Sequence, residues 1–233
     1  MKTKSKLANL KQLVKIRKPI FSSKKRRVSR ANTIYDLRAA AKKCTPRGPF
    51  DYTDGAADQE ITLNKARQSF ENIEFQPHIL RDVSSVSLST TMLGKSYSMP
   101  VGIAPTGFTR MMNVEGEIAG SGAAKEFGIP FTLSTMGTTS IEGVAQNAPG
   151  GSNFFQLYLW RDRDRSLELI KRAEKAGYDG LVLTVDAQVA GARLRDVRNG
   201  LTVPPTLTAK TFLNAIPRPN WWWNFLTKEP LNF

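Results

Sequence analysis

Short apolar segments alternate with longer amphipathic stretches from residue 99 onward. The apolar segments predict four strands, which are Val101–Ala104, Pro130–Ser134, Asn153–Leu159 and Gly180–Asp186. The stretches between them predict three helices, which are Val114–Phe127, Ser140–Asn147 and Arg165–Ala176. A strand that is apolar on both faces, as around Leu183, is typical of a parallel sheet covered by helices. Repeated βα units of this kind predict a doubly wound sheet or a (β/α)8 barrel.

Two helices are predicted ahead of these units. Asn32 and Thr33, followed by Asp36, resemble an N-cap with an acidic first turn, and the helix they open is expected to end before Pro46. A second helix is predicted over Ala57–Phe70, where apolar residues keep a helical spacing. We therefore divide the chain into a tail (1–28), a helical segment (29–98), a four-strand segment (99–186) and a loop region (187–233). The loop region is rich in proline and contains three successive tryptophans, Trp221 to Trp223.

The basic residues are concentrated at the start of the chain. Residues 1–30 hold twelve Lys or Arg and no Asp or Glu, whereas the other 203 hold 22 basic and 20 acidic residues. The block Lys24–Arg27 predicts a solvated, disordered and extended arm. Such an arm attracts any polyanion, so it does not specifically indicate nucleic acid. Leu7, Leu10 and Val14 could align on one helical face, which would suit an anionic membrane surface.

The remaining composition favours an ordinary cytoplasmic protein. Cys44 is the single cysteine, so no intrachain disulfide can form, and a reducing compartment fits. The apolar residues behind the basic start are interrupted by Lys and Gln, unlike those of a secretory signal. No run approaches the roughly 20 apolar residues of a membrane span. We therefore expect a cytoplasmic location.

Polar residues cluster where the predicted strands end. In both parallel architectures ligands bind at the carboxyl ends of the strands, so these residues are candidates for a site. They are Pro105, Thr106, Ser134, Thr135, Gln156, Tyr158, Thr184 and Asp186. Hydroxyl and amide groups of this kind can hydrogen-bond a flat heteroaromatic ring. Each of them, taken alone, also fits a turn or cap that ends a strand.

Three arginines follow the fourth predicted strand. Arg193, Arg195 or Arg198 could clamp a carboxylate through two parallel hydrogen bonds, although a solvated surface arginine is the usual alternative.

His78 is the single histidine, and its place before the strands favours a surface or packing role over catalysis. The chain has no metal-ligand spacing, phosphate loop or nucleophile elbow. Metal-dependent and nucleotide hydrolysis are therefore poor candidates.

Several linked motifs resemble those of the FMN-dependent 2-hydroxy-acid dehydrogenases, a family that includes L-lactate dehydrogenases, glycolate oxidases and mandelate dehydrogenases. The motifs are FDYTDGAAD (50–58), VGIAPTG (101–107), FTLS (131–134), FFQLY (154–158), LTVD (183–186) and GARLRD (191–196). They occur in the family's order and spacing over about residues 30–233. The resemblance implies the N-terminal half of a TIM (β/α)8 barrel, with about four βα units preceded by two or more helices and a basic tail.

The resemblance implies a flavin site with FMN as its cofactor. Six residues would contact the flavin, and they are Ala104, Pro105, Thr106, Ser134, Gln156 and Thr184. Tyr158 would contact the substrate hydroxyl as a catalytic residue. Tyr52 and Arg193 would hold the carboxylate of a small, lactate-like L-2-hydroxy acid, although Asp51 competes with Tyr52 for its position. Gly107 and Met136 would lie near the substrate side chain, with room for more than glycolate.

Several family motifs do not occur in this sequence. In the family, a histidine of a Ser-Asn-His-Gly-Gly-Arg motif takes the α-proton, a lysine on the fifth strand stabilises the reduced flavin, and later arginines and glycines bind the FMN phosphate. Loss of a general base typically costs about 10²–10⁴-fold in rate. We therefore expect this chain alone to be inactive, as a truncated member of a family whose intact enzymes are often homotetramers. A remnant, a binding module with a polyanion-binding tail and a half-barrel that pairs with a separately encoded half stay open as alternatives.

Overall fold

The computed structural model describes residues 20–187, 189–201, 213–214 and 216–227, and Leu7, Leu10 and Val14 lie outside them. The chain divides into two compact units, Met1–Lys43 and Cys44–Phe233. In the first unit, helix α1 (Ser23–Val28) carries the basic block. The sequence predicted an extended arm here, but the Ser22 hydroxyl accepts a hydrogen bond from the Lys25 amide and caps a short helix. None of its residues is buried.

The next helix, α2 (Ile34–Cys44), begins where the sequence predicts. The Asp36 carboxylate accepts hydrogen bonds from the backbone amides of Asn32, at 2.9 Å, and Thr33, at 3.0 Å. These bonds lower the pKa of Asp36 because they stabilise its charged form, with the Asn32 amide contributing most. The predicted N-terminal cap is therefore present.

The second unit opens with two helices and a hairpin. The helices are α3 (Arg47–Asp54), which the sequence did not predict, and α4 (Ile61–Glu71), which begins four residues later than predicted. The hairpin pairs β1 (Thr90–Met92) antiparallel with β2 (Lys95–Tyr97). Its two-residue turn places Leu93 at φ 51° and Gly94 at φ 78°, the left-handed conformation that tight hairpins require.

Parallel strands alternate with helices between Thr109 and Thr184. The helices before the first of these strands are α5 (Thr109–Met112) and α6 (Gly116–Phe127). Strands β3 (Phe131–Ser134), β4 (Asn153–Tyr158) and β5 (Gly180–Thr184) form one sheet in the order β3-β4-β5. Helices α7 (Ile141–Asn147) and α8 (Arg163–Lys175) connect them, and α9 (Leu194–Asn199) and α10 (Pro219–Thr227) follow.

The first predicted strand, Val101–Ala104, was wrong in its extent. In the described chain this segment contributes a single parallel bridge between Ile103 and Phe131. The Ile103 amide donates to the Pro130 carbonyl, and the Thr132 amide donates to the Ile103 carbonyl, both at 2.9 Å. Because Ile103 alone pairs with β3, through both its amide and its carbonyl, the segment keeps the position of a strand at the edge of the sheet without a strand's length.

The hairpin contacts the amino ends of the sheet strands. The Tyr97 hydroxyl lies 2.9 Å from Ser152 Oγ, and Lys95 Nζ donates to Asp179 Oδ1 at 2.5 Å. Ser152 directly precedes β4 and Asp179 directly precedes β5. The hairpin therefore lies at the end of the sheet opposite to the strand ends where parallel sheets bind ligands.

The core lies between the sheet and its helices. It contains Leu133, Phe155 and Leu157 from the strands, with Ala124, Ile141, Val144 and Ala173 from α6, α7 and α8. Strand β5 differs, because Leu181, Val182 and Leu183 stay 41–47% exposed although the strand is apolar on both faces. Within the described residues, no helix has both the length and the apolar character that crossing a membrane would require.

Candidate functional site

Three side chains at the carboxyl ends of the strands form one chain of hydrogen bonds. The Ser134 hydroxyl donates to Gln156 Oε1 at 3.2 Å, and Gln156 Nε2 donates to Thr184 Oγ1 at 2.8 Å. The register explains the first contact, because Ser134 is the direct partner of Gln156 across the β3-β4 pair. Ser134 and Gln156 are buried and Thr184 is half-buried. The structure thus brings together three residues that the sequence assigned to the flavin.

Thr135 fixes the loop that leaves β3. Its amide donates to Gln156 Oε1 at 3.1 Å, its hydroxyl donates to the Gln156 carbonyl at 2.5 Å, and it accepts from the Tyr158 amide at 3.0 Å. The Met136 amide then donates to Ser134 Oγ at 3.1 Å. Sequence reasoning placed Thr135 at a strand end but gave it no role. Its contacts make it the residue that ties the ends of β3 and β4 together.

The loop that follows Ile103 approaches the β3 loop closely. Ala104, Pro105 and Thr106 are exposed, and the Phe108 amide donates to the Met136 carbonyl at 2.9 Å. A Cβ atom added to Gly107 would lie 2.9 Å from Met136 Cβ and 3.6 Å from Tyr52 Oη. A contact of 2.9 Å between carbons is shorter than van der Waals packing allows. A side chain at position 107 would therefore force one of these two loops to shift.

Tyr52 and Arg193 lie against each other beside Gly107. The guanidinium carbon of Arg193 lies 4.7 Å from the centroid of the Tyr52 ring, and Arg193 also donates to the Tyr52 carbonyl. Arg193 Nε donates to Asp196 Oδ2 at 2.6 Å, which orients the guanidinium. Burial raises the pKa of Tyr52, and the positive charge of Arg193 opposes that shift. The Tyr52 phenol is therefore held in its neutral form.

The side chains of Asp51 and Tyr52 contact different residues. Asp51 Oδ2 accepts from Asn199 Nδ2 at 2.8 Å and lies 3.3 Å from Arg47 Nε. Tyr52 instead packs edge-on against Phe108, with the ring centroids 5.4 Å apart. Of the two residues that competed for the carboxylate-binding position, Tyr52 is thus the one beside Gly107 and Arg193.

The three candidate arginines also differ in their contacts. Arg195 lies in a cluster of acidic residues, with Nη1 3.0 Å from Asp54 Oδ2 and Nη2 hydrogen-bonded to Glu60. Arg198 has an exposed side chain on α9. Arg193 is the one that faces Tyr52. Since carboxylates already surround Arg195, Arg193 is the better placed of the two to receive the carboxylate of a ligand.

Tyr158 ends β4 with 37% of its surface exposed. Its phenol acts electrostatically on Tyr52 and contributes to the raised pKa of that residue. His78 is exposed, in the segment between α4 and β1.

Sequence reasoning missed a buried carboxylate beneath these loops. Glu117, on α6, is 2% exposed and accepts hydrogen bonds from the Thr138 amide at 2.7 Å, the Thr138 hydroxyl at 2.9 Å and the Thr139 hydroxyl at 2.8 Å. Thr138 in turn accepts from the Arg110 amide at 3.1 Å. Glu117 thus holds the β3-α7 loop beside the loop that follows Gly107. An acidic residue in the first turn of a helix is common at exposed positions, so the sequence gave no signal of this burial.

The described residues include no cluster of three or more His, Cys, Asp or Glu side chains that could hold a metal ion. The donor set at the strand ends is instead made of neutral amides and hydroxyls with one guanidinium. Such a set suits a planar, hydrogen-bonding ligand together with an anionic one.

Comparison with known proteins agrees with the family that the sequence motifs resemble. A family model described as FMN-dependent dehydrogenase matches residues 41–232. A protein of Mycobacterium tuberculosis (strain ATCC 25618 / H37Rv) named "Putative L-lactate dehydrogenase" is 53% identical over 225 residues, which are 97% of this chain and 54% of that protein. This chain spans about half the length of the curated relatives that it matches.

Two solved structures extend the comparison to the fold. The monotopic membrane protein (S)-mandelate dehydrogenase is 35% identical with a TM-score of 0.81, over 87% of this chain and 54% of that chain. A soluble mutant of the membrane-associated (S)-mandelate dehydrogenase from Pseudomonas putida is 40% identical with a TM-score of 0.71, over 77% of this chain and 51% of that chain. The α/β fold therefore matches about half of a TIM-barrel domain, as the resemblance predicted.

Proposed function

Because the chain belongs to the FMN-dependent dehydrogenase family, we propose that it forms the part of an L-2-hydroxy-acid oxidation site that seats the flavin ring and holds the substrate carboxylate. When bound, FMN would supply the acceptor for the hydride equivalent that leaves the substrate. The hydrogen-bonded chain Ser134–Gln156–Thr184 is the observation that carries this proposal. The activity of a whole enzyme is part of the proposal, since the chain covers about half of its relatives.

The strand-end residues have hydrogen-bonding capacity left for a flavin ring. Among the bonds of the described residues, Gln156 Nε2 uses one of its two N–H groups, and the Thr184 hydroxyl accepts that bond. The second N–H and the Thr184 proton remain available to a ligand that lies over the strand ends. Ala104, Pro105 and Thr106 are exposed at the neighbouring loop and would form the wall beside the ring. The residues present therefore fit the cofactor that the family uses.

Arg193 would bind the substrate carboxylate. Asp196 and the Tyr52 carbonyl occupy its Nε and one terminal nitrogen, so the guanidinium is oriented before a ligand arrives. Pre-orientation reduces the entropy that binding costs. The neutral Tyr52 phenol would donate a second hydrogen bond to the carboxylate, and Tyr158 would contact the substrate hydroxyl from the end of β4. Gly107 and Met136, in contact with each other, would limit the space for the substrate side chain.

The residues present would bind and orient the substrate without removing its α-proton. His78 is the single histidine of the sequence, and it is exposed in the segment between α4 and β1, before the sheet strands. Loss of a general base costs about 10²–10⁴-fold in rate. We therefore expect no substrate-dependent flavin reduction by the 233-residue chain alone. Oxidation would require a segment with the Ser-Asn-His-Gly-Gly-Arg motif, either in the same polypeptide or in a second one.

Flavin binding is the direct test. FMN fluorescence would be titrated with the 233-residue chain, alone and co-produced with the C-terminal half of a related family member. We expect quenching of the flavin in the co-produced sample and a weaker affinity for Thr184→Val, which removes a ring-facing hydroxyl. Thr91→Val, on the exposed hairpin, is the matched control. Equal affinity of wild type and Thr184→Val, or no quenching with either sample, would overturn the flavin assignment.

The substrate class is tested in the co-produced sample once flavin is bound. L-lactate, L-mandelate and glycolate would each be added without oxygen, and the long-wavelength absorbance of the oxidised flavin would be followed. We expect bleaching by at least one of these acids and none by its D-enantiomer where one exists. Arg193→Lys should raise the concentration needed for half-maximal bleaching, because an ammonium lacks the bidentate geometry of a guanidinium.

Polyanion binding is a second candidate function. Helix α1 carries Lys24, Lys25, Arg26 and Arg27, and all its residues are exposed. Like charges placed this close on one helix favour binding to a phosphate-rich surface. Deletion of residues 1–28 would separate the candidates. Loss of binding to heparin or acidic vesicles with an unchanged fold of the remaining chain would support this function, and unchanged binding would exclude it.

A further inference from the structure

Three carboxylates from a distant part of the chain surround the Arg195 guanidinium. Arg195 Nη1 lies 3.0 Å from Asp54 Oδ2 and 3.7 Å from Asp51 Oδ1, and Nη2 donates to Glu60. The three acidic side chains are only 7–16% exposed, and Asp51 also pairs with Arg47. Among the ion pairs of the described residues, Arg195 is the cation that all three carboxylates share. Because like charges this close repel one another, the shared guanidinium stabilises their grouping.

The backbone before Arg195 lies directly on the turn between α3 and α4. The Asp58 amide donates to the Ala192 carbonyl at 2.8 Å. A Cβ atom added to Gly191 would lie 2.9 Å from Ala57 Cβ, which is closer than carbon atoms normally pack. The ion pairs of Arg195 therefore extend an interface that begins at the backbone.

Arg193 lies between these two attachments. Its guanidinium contacts the ring and the carbonyl of Tyr52, on α3. Arg193 Nε also donates to Asp196, but Asp196 belongs to α9, the helix that Arg193 itself precedes. That bond orients the guanidinium without attaching it to α3. The bonds of Ala192 on one side and of Arg195 on the other attach the segment to the α3–α4 region.

We propose that Arg195 is a positioning residue for Arg193. By binding three carboxylates of the α3–α4 region at once, Arg195 keeps the 191–196 segment against α3 and holds the Arg193 guanidinium beside Tyr52. This role rests on the proposed function, in which Arg193 receives the carboxylate of a 2-hydroxy acid. A guanidinium suits the task because its five N–H donors can serve several carboxylates in one plane. Loss of Arg195 would weaken carboxylate binding although no group that binds the ligand is removed.

The contact between Arg193 and Tyr52 is measured first, by NMR of the full 233-residue chain. Nuclear Overhauser effects between the Arg193 side-chain protons and the Tyr52 ring protons report this contact without flavin or substrate. We expect these effects in the wild type and their loss in Arg195→Gln. Circular dichroism and thermal melts would verify that the variant folds.

The affinity for a carboxylate is measured on the same chain, with L-lactate as the probe. The Arg193 Nε–H signal, identified by its absence from Arg193→Lys, would be followed during the titration. Coupling between separate sites typically changes affinity by about 5–150-fold, and we expect Arg195→Gln to weaken L-lactate binding at least about fivefold. Arg195→Lys should give an intermediate affinity, because an ammonium keeps the charge but lacks the planar fork.

Two further variants separate positioning from general stability. Arg172→Gln is the matched control, because it removes another two-bond contact between an arginine and a carboxylate, with Glu142 on α7. It should keep the contact of Arg193 with Tyr52 and the wild-type affinity for L-lactate. Asp54→Asn with Glu60→Gln removes two partners of Arg195 and should act like Arg195→Gln. This double variant decides the question if Arg195→Gln does not fold.

Two results would overturn the positioning role. The first is a folded Arg195→Gln chain, or a folded double variant, with wild-type Overhauser effects and wild-type affinity for L-lactate. The second is an equal loss of both in Arg172→Gln, which would make the effect a general loss of stability. An Arg193 signal that L-lactate leaves unchanged in the wild type would instead overturn the proposed carboxylate site. The Overhauser effects would still decide whether Arg195 holds Arg193 beside Tyr52.

Discussion

The Arg193 guanidinium lies 4.7 Å from the centre of the Tyr52 ring and also donates to the Tyr52 carbonyl, although the two residues are 141 positions apart in sequence. This contact joins α3 to the segment that leads into α9. It places a positive charge and a neutral phenol side by side at the strand ends. The same pair would receive the substrate carboxylate in the proposed function.

The ionisation of Tyr52 gives a first prediction. Burial raises its pKa above the ordinary value of 10, and the Arg193 charge works against that shift. The stability that the neutral phenol contributes is therefore present in full below pH 10 and is lost as the pH rises through the folded pKa. We expect Arg193→Gln to raise the Tyr52 pKa further, as measured by phenolate absorbance relative to Tyr52→Phe. Arg165→Gln, at an exposed arginine, is the control, and a lower Tyr52 pKa in Arg193→Gln would contradict this prediction.

Replacement of Gln156 should destabilise the strand ends. Gln156→Leu leaves the Thr135 amide and the Ser134 hydroxyl without their acceptor in a buried region. An unsatisfied buried group costs about 1–3 kcal/mol, and we expect a loss in this range from urea unfolding. Thr184→Val removes one bond at a half-buried position and should cost about 1 kcal/mol or less. Equal losses for the two variants would argue against Gln156 as the centre of the network.

The buried Glu117 should matter more for stability than an exposed glutamate on the same helix. Glu117→Gln replaces a carboxylate oxygen with an N–H group that cannot accept from the Thr138 or Thr139 donors. Hydrogen bonds to a charged group are worth about 1.5–3 kcal/mol, so we expect a loss of this size in the free energy of unfolding. Glu126→Gln, exposed near the end of α6, should change stability by about 0.5 kcal/mol or less. A loss for Glu117→Gln no larger than for this control would contradict the expectation.

The ion pair between Glu142 and Arg172 predicts a change of stability in acid. Arg172 donates to both Glu142 oxygens at 2.9 Å and lowers the Glu142 pKa from 4.5 to about 2. The stability from this pair is therefore present above pH 4.5 and is lost as the pH falls through about 2. Both side chains are more than 40% exposed, so we expect less than about 1 kcal/mol.

Glu142→Gln should remove this part of the acid dependence, which urea unfolding between pH 2 and 7 would detect. Glu174→Gln, exposed on the neighbouring helix α8, is the control. If Glu142→Gln keeps the full acid dependence of the wild type, the pair contributes nothing measurable. Added salt should reduce the difference between wild type and Glu142→Gln, since both charges are exposed to solvent.

The sequence by itself determined most of the regular α/β part. Apolar runs marked β3, β4 and β5 to within two residues, because strands that are apolar on both faces differ clearly from amphipathic helices. Ser140 and Asp162 cap α7 and α8 through bonds that are local in sequence, and the pattern located both helices to within about two residues. The strand ends where Ser134, Gln156 and Thr184 meet followed from the parallel order alone.

Only the tertiary structure decided how distant segments meet. Nothing local distinguishes Tyr52 from Asp51, or Arg193 from Arg195, because each choice depends on contacts between residues more than 130 positions apart. The helix α3 and the hairpin are short, and contacts such as Tyr97 with Ser152 stabilise them more than local propensity does. Glu117 can be buried because the β3-α7 loop supplies hydrogen-bond donors, such as the Thr138 amide, which a carboxylate needs when it is removed from water.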